Sequence, residues 1–186
     1  MTALKRVARW TDWNGAGIEH LSVLENASWI HAEGVVIGQL NENEFGLSYQ
    51  LHLDLDWRVR EVRIQIANSA TLHIWSDGRG RWVRGDGTEI GNLAGCVDVD
   101  IAATPFTNTL PIRRLKLKTG QTETIKVAYV SVPELSVEPV KQRYTRLAET
   151  RFLYEGISTS FSAELEVDDV GMVLDYPGAF RRLPPA

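Results

Sequence analysis

A single cysteine, Cys96, is all the thiol chemistry this chain carries. No intramolecular disulfide can form, which fits a reducing compartment. Basic residues do not outnumber acidic ones: 20 Lys and Arg stand against 24 Asp and Glu, a net charge of −4. That balance lacks the electropositive footprint that nucleic acids and anionic membrane surfaces require. No apolar run approaches the ~18 residues of a membrane-spanning helix. The first ten residues, Met1 to Trp10, show no apolar stretch followed by a cleavage site, so a cytoplasmic protein without a secretory leader is expected.

Catalytic and metal signatures are missing as well. The four histidines, His20, His31, His52 and His73, stand apart, without zinc-ligand spacing. There is no Gly-x-Ser-x-Gly elbow and no phosphate loop, and Gly78-Arg79-Gly80-Arg81 is too short and too hairpin-like for a dinucleotide fingerprint. Cys96 has no histidine near it in sequence, so a small buried cysteine is the plainer reading than a nucleophile. No metal and no cofactor are expected.

Helical periodicity is scarce too. Its best windows are residues 3–10, residues 141–150 and Ala179-Phe180-Arg181-Arg182-Leu183, and the first two read equally well as strands. What the chain has in quantity is period-two alternation. Phe45, Leu47, Tyr49, Leu51, Leu53 and Leu55 alternate with Gly46, Ser48, Gln50, His52 and Asp54, the pattern of a half-buried strand. Val62, Ile64 and Ile66 repeat it, as do Leu72 with Ile74, Ile125 with Val127 and Tyr129, and Phe161 with Ala163, Leu165 and Val167. Turn signals lie between them: Asp77-Gly78, Gly85-Asp86-Gly87, Thr119-Gly120 and Asp168-Asp169-Val170-Gly171.

These features predict one mainly β domain over residues 1–186, of ten or more short, mostly antiparallel strands with little helix. A faint repeat runs through it. Residues 48–56 align with residues 160–168, and Leu21-Ser22-Val23 with Leu135-Ser136-Val137. Either two amphipathic strands look alike by chance, or residues 18–75 and 130–177 duplicate one strand meander, bridged by residues 76–129. Long amphipathic strands need cover on their apolar face, and helices are too few to provide it. Sheet-on-sheet packing, or an open or half β-barrel with an apolar interior able to hold a small guest, is the expectation.

Several residues could carry function within such a frame. All six tryptophans fall in the first 82 residues, and Trp75 and Trp82 flank an Asp-Gly hairpin turn. They could form an aromatic platform for a sugar ring or acyl chain, or a cross-strand pair that pins the hairpin. Asp98 and Asp100 share a strand face by parity. They could act as acid and base if burial separated their pKa values, or could pair structurally with Arg113 and Arg114. If Ile112 to Leu117 is a strand, those two arginines point to opposite faces, and an inward one needs a carboxylate or a ligand anion. Between the carboxylates and the arginines lies Thr104-Pro105-Phe106-Thr107-Asn108-Thr109-Leu110-Pro111, dense in side chains that bond back to the backbone. This loop either addresses a polar head group, with Phe106 capping an apolar pocket, or fixes the crossing between two sheets. Gln142, Arg143 and Tyr144 form a second polar cluster.

On these residues the chain resembles the glycolipid-binding family of bacterial proteins, formerly a domain of unknown function. The likeness is carried by the Trp75-Ser-Asp-Gly-x-Gly-x-Trp82 hairpin and by the run from Leu93 through Asp100. It continues through Thr104-Pro-Phe-Thr-Asn-Thr-Leu-Pro-Ile-Arg113, Gln142-Arg-Tyr-Thr145 and Asp175-Tyr-Pro177. The resemblance covers essentially the whole chain. It implies a fold similar to the unclosed β-barrel of the periplasmic lipoprotein carriers, which hold acyl chains in an apolar cavity, and it carries over no catalytic residues. The leading expectation is a binding protein for a glycolipid or its acyl precursor in an apolar β-lined cavity, with Trp75, Trp82, Phe106, Asn108, Arg113 and Tyr144 at its mouth or wall. The alternatives are a hydrolase or isomerase of a lipid or sugar using Asp98 or Asp100, and a structural or protein-interaction module.

Overall fold

The computed structural model describes residues 4–40 and 42–184. Among these residues fourteen strands form two sheets, one of them curled into a half-barrel, with one short α-helix. The first seven strands are an unbroken antiparallel meander: β1 (Leu4–Asp12), β2 (Ile18–Glu25), β3 (Ile30–Leu40), β4 (Asn43–Leu53), β5 (Val59–Ile66), β6 (Thr71–Ser76) and β7 (Trp82–Arg84). The chain returns at its end to place β13 (Asp175–Tyr176) and β14 (Phe180–Arg182) beside β1, giving the order β13-β14-β1-β2-β3-β4-β5-β6-β7. The second sheet runs β12-β11-β10-β9-β8, from β8 (Asp98–Ile101), β9 (Thr122–Val130), β10 (Val137–Ala148), β11 (Arg151–Gly156) and β12 (Phe161–Glu166).

Alternation dictates which side of each strand is covered. In β4 the residues Phe45, Leu47, Tyr49, Leu51 and Leu53 are buried, as the sequence predicts. Leu55 departs from that pattern: the strand ends at Leu53, and Leu55 is 50% exposed in the following turn. Residues 4–10 and 141–148 of the first two windows are strand, Ala3 lying outside the described residues and residues 149–150 forming a turn, and part of the C-terminal window is β14. Of the aligned half-repeat segments, one is central in the large sheet as β4 and the other is the edge strand β12.

One connection explains why any helix exists here. Strands β8 and β9 pair in parallel, with Asp98 beside Val127 and Ile101 beside Val130. A parallel pair cannot be closed by a tight turn and needs a crossover. That crossover is a 3₁₀ turn, Pro105–Asn108, running into α1 (Thr109–Leu115). Of the segment Ile112 to Leu117, which the sequence leaves open as a possible strand, residues 112–115 therefore belong to a helix. Its last residue is followed by Lys116 in the left-handed conformation, φ 50°, which ends the helix.

The crossover also occupies the space between the sheets. Phe106 and Leu110 are completely buried among Leu21, Leu51, Ile64 and Ile74 of the large sheet and Val99, Ile101, Ala128 and Val130 of the small one. Ile112 and Leu117 join a second cluster with Tyr144, Phe152, Tyr154, Leu165 and Val173. Much of the interior expected to hold a guest is thus filled by the chain's own side chains.

Candidate functional site

Parity within β2 places a glutamate where an apolar residue would ordinarily sit. Glu19, Leu21 and Val23 face inward, whereas Ile18 is 48% exposed. Glu19 is only 2% exposed. Its Oε1 accepts hydrogen bonds from the Tyr49 hydroxyl at 2.6 Å and from Thr104 Oγ1 at 2.8 Å. Its Oε2 is buried and has no partner. Burial pushes the carboxyl up to about 7, against the opposing pull of the Tyr49 and Thr104 hydrogen bonds and the Arg182 charge.

Glu19 lines a cleft of about 270 Å³ at one end of the large sheet. Its walls come from Trp10 and Trp13 of the first strand and its turn, Val36, Leu40 and Phe45 of β3 and β4, Ala102 and Ala103 after β8, and Phe180 of β14. The walls are held firmly. The Trp10 indole donates to the Val173 carbonyl at 2.9 Å, and the Arg182 guanidinium lies 4.6 Å from the Trp10 ring centre. Arg181 covers Trp13 at 4.3 Å. Tyr49 reaches Glu19 only because residue 34 has no side chain: a Cβ there would stand 2.2 Å from the Tyr49 ring.

Among the described residues three buried side-chain polar atoms lack a partner: Glu19 Oε2, His31 Nδ1 and Thr109 Oγ1. Of these residues only Glu19 also lines the cleft. An unsatisfied buried oxygen costs about 1–3 kcal/mol, a cost that a bound partner would relieve.

The residues singled out from sequence lie elsewhere. Trp75 and Trp82 are on opposite faces of their hairpin, because Trp75 pairs with Val83 and Ser76 with Trp82. They make neither a shared platform nor a cross-strand pair. Trp82 is fully buried and donates its indole N–H to the Cys96 carbonyl at 2.7 Å, while Trp75 stacks on His73 on the outer face. Phe106 is in the core. The Tyr144 hydroxyl donates to Asn108 Oδ1 at 2.9 Å, and both residues are buried. Arg113 lies over Trp57 at 5.1 Å, in a separate surface groove of about 420 Å³.

The two aspartates do share a face, and each is held differently. Asp98 receives Nε and Nη2 of Arg114 at 2.9 and 2.5 Å. Asp100 accepts from Gln142 Nε2 at 2.6 Å and Thr107 Oγ1 at 3.1 Å. Burial raises the pKa of both, opposed at Asp98 by Arg114 and at Asp100 by Gln142 and Thr107. Neither lines the Glu19 cleft. Burial likewise pushes the Cys96 thiol up to about 11, so it carries little thiolate at neutral pH.

The threonine-rich segment connects these clusters. Thr104 binds Glu19, Thr107 binds Asp100, and Asn108 binds Tyr144. Three short side chains thereby fasten the crossover to both sheets, and the first of them also shapes the cleft. On the outer face, His31 and His52 stack at 4.4 Å, and Glu61 meets His73 at 2.6 Å. Strand pairing thus assembles histidines that the sequence leaves scattered. Among the described residues no group of three or more His, Cys, Asp and Glu could hold a metal ion, and no helix is long and apolar enough to cross a membrane.

Comparison with known proteins follows the fold. A family described as "Putative glycolipid-binding" matches residues 7–182. No curated protein matches the chain. The chain is similar to a DUF1089 family protein from Pseudomonas aeruginosa, whose crystal structure is known at 1.80 Å. The two are 37% identical with a TM-score of 0.79, over 90% of this chain and 92% of the other. With a match across nearly its whole length, the chain belongs to the family described as "Putative glycolipid-binding".

Proposed function

We propose that the protein binds part of a glycolipid or related amphiphile in the cleft beside Glu19. The observation that carries this reading is a cleft with aromatic and aliphatic walls, lined also by a buried carboxyl that has one oxygen without a hydrogen-bond partner. Family membership supports a binding role of this general kind. A volume of about 270 Å³ is roughly nine times the share of one water in the liquid. It suits a single sugar ring or a short acyl stretch rather than a whole lipid. Nine buried methylenes would contribute about 7 kcal/mol at about 0.8 each, and association costs of at least about 4 kcal/mol leave weak binding from the apolar part alone. A polar contact inside the cleft is therefore needed for useful affinity, and Glu19 supplies a place for it.

Native mass spectrometry and organic extraction of freshly purified protein test the reading. An amphiphile should co-purify, and Val36→Trp, which fills the cleft, should exclude it while leaving the circular dichroism spectrum unchanged. A protein that carries no lipid and whose tryptophan emission ignores added alkyl glycosides would refute it.

A further inference from the structure

We propose that Glu19 acts in its neutral form, donating a hydrogen bond from Oε2 to a ligand oxygen that bears no proton of its own, an ester carbonyl or an acetal ether oxygen. The inference rests on the cleft being a ligand site and names what the cleft recognises.

Counting protons fixes the direction of that bond. Thr104 Oγ1 accepts from the Phe106 backbone N–H at 3.0 Å, which leaves its own proton for Glu19. Tyr49 has one hydroxyl proton, and the 2.6 Å contact directs it to the same Oε1. Oε1 thus receives two donors and has no lone pair to spare for a third proton. When the carboxyl is neutral, its hydrogen must sit on Oε2, where the protein provides no acceptor. The cleft has apolar walls at Trp10, Val36, Leu40, Phe45 and Phe180 and polar groups at Thr11, Asp12, Asn14 and Gln39. With the Thr11 hydroxyl committed to the Gly17 carbonyl, an uncommitted acid O–H on Glu19 is complementary to a lone acceptor beside hydrocarbon, which is the linkage region of an acyl or glycosyl amphiphile. A carboxylic acid kept neutral by an apolar site so that it can donate is an established device in proteins.

The charged surroundings are consistent with that state. From β4 the titratable neighbour is Tyr49, and from β14 it is Arg182, whose charge is shared with Asp168 at 3.9 Å and with the Trp10 ring. From β1, Asp12 lines the cleft as a second carboxyl. Burial outweighs the Arg182 charge and holds the Glu19 carboxyl near 7, so the donor is present in the acidic-to-neutral range and disappears above it.

The test uses the full chain and four probes of one chain length: methyl octanoate, 1-methoxyoctane, octylamine (cationic across the range) and octane. Calorimetric titration from pH 5 to pH 9 gives their dissociation constants. The ester, the ether or both should bind more tightly than octane below pH 6 and weaken about tenfold per pH unit above 7, as the neutral fraction falls. Which of the two binds tells an acyl carbonyl from an acetal oxygen. In Glu19→Gln the side-chain carbonyl still accepts from Tyr49 and Thr104 and the amide N–H replaces the acid O–H. This variant should bind within a few-fold of wild type at pH 6 and lose the pH dependence. Octylamine that binds more tightly than the ester and the ether at pH 6 would mean an ionised acceptor there and would overturn the proposal. Equal, pH-independent binding of all four would also overturn it while leaving the apolar cleft intact as a ligand site. Absence of binding by any probe at any pH would remove both.

Discussion

Exchanging one oxygen for nitrogen at Glu19 should change how stability responds to pH. In the folded chain the carboxyl holds its proton up to about 7, against an ordinary value of 4.5. The folded state therefore binds the proton more tightly than the unfolded state does. The stability linked to that difference is full below about pH 4.5 and is lost as pH rises through about 7. At about 1.4 kcal/mol for each tenfold change in proton affinity, the loss is about 3 kcal/mol. Glu19→Gln keeps the shape and both hydrogen bonds at Oε1 but cannot ionise. Other groups whose pKa values burial shifts, such as Asp98, Asp100 and His31, are present in both proteins and cancel in the difference. Urea unfolding of wild type and variant at pH 5, 6, 7 and 8 gives that difference directly. The variant should gain on wild type by about 3 kcal/mol from pH 5 to pH 8, most of it between pH 5 and pH 7. Two stability curves separated by a constant offset would show that Glu19 ionises as easily in the fold as outside it, and the burial argument would fail.

Other perturbations follow from the same contacts. Gly34→Ala should cost about 1–3 kcal/mol from overpacking against Tyr49, with a further loss as the hydroxyl is pushed off Glu19; thermal unfolding measures it, and an unchanged Tm would contradict the close approach. Arg114→Met leaves Asp98 buried without its cation and should cost about 3–5 kcal/mol at pH 7, with part of the loss recovered by Asp98→Asn in the same chain. Tyr49→Phe removes a hydrogen bond that favours the ionised form of Glu19, so the carboxyl should titrate at still higher pH; ¹³C chemical shifts of the glutamate side chain report the midpoint, and a downward move would refute the assignment. Asn108→Ala and Tyr144→Phe should couple by about 1 kcal/mol in a double-mutant cycle, whereas additive losses would mean that their 2.9 Å contact contributes nothing.

The fold was legible because alternation is a local signal. The run from Phe45 to Leu53 predicts both the strand and its buried face, and the Gly-containing turns after Ser76 and Arg84 fall where the polypeptide reverses. The conditional strand at Ile112 to Leu117 does not form, for a topological reason. A parallel β8–β9 pair demands a crossover, and nothing in the local sequence announces that two strands 20 residues apart will run the same way. The paired roles of Asp98 and Arg114 could be anticipated from charge and parity, and the structure joins them. The Glu19 cleft was also within reach, since Glu19, Leu21 and Val23 share one parity and a lone glutamate on an apolar face is a warning. The signal was weak because Ile18, on the other face, makes the local pattern ambiguous. The tryptophan pair misled for a register reason: six residues intervene between Trp75 and Trp82, but pairing joins Ser76 to Trp82.

Two buried carboxyl groups, Glu19 and Asp98, and the part-buried Asp100 compete for a functional role, and their surroundings separate them. Asp98 has both oxygens engaged by one guanidinium, so its charge is compensated and its geometry fixed by α1. Asp100 has one donor on each oxygen, from Thr107 and Gln142, and these same contacts bind the crossover to β10. Releasing either aspartate to react would undo part of the fold. Glu19 is arranged unequally: two donors converge on Oε1 and none on Oε2. The first oxygen orients the carboxyl, and the second is buried without a partner of its own. A purely structural carboxyl has no need of that asymmetry, because a donor placed at Oε2 as well would leave no atom unsatisfied. The uneven sharing of hydrogen bonds, more than burial or charge, is what separates Glu19 from the aspartates that the sequence makes more conspicuous.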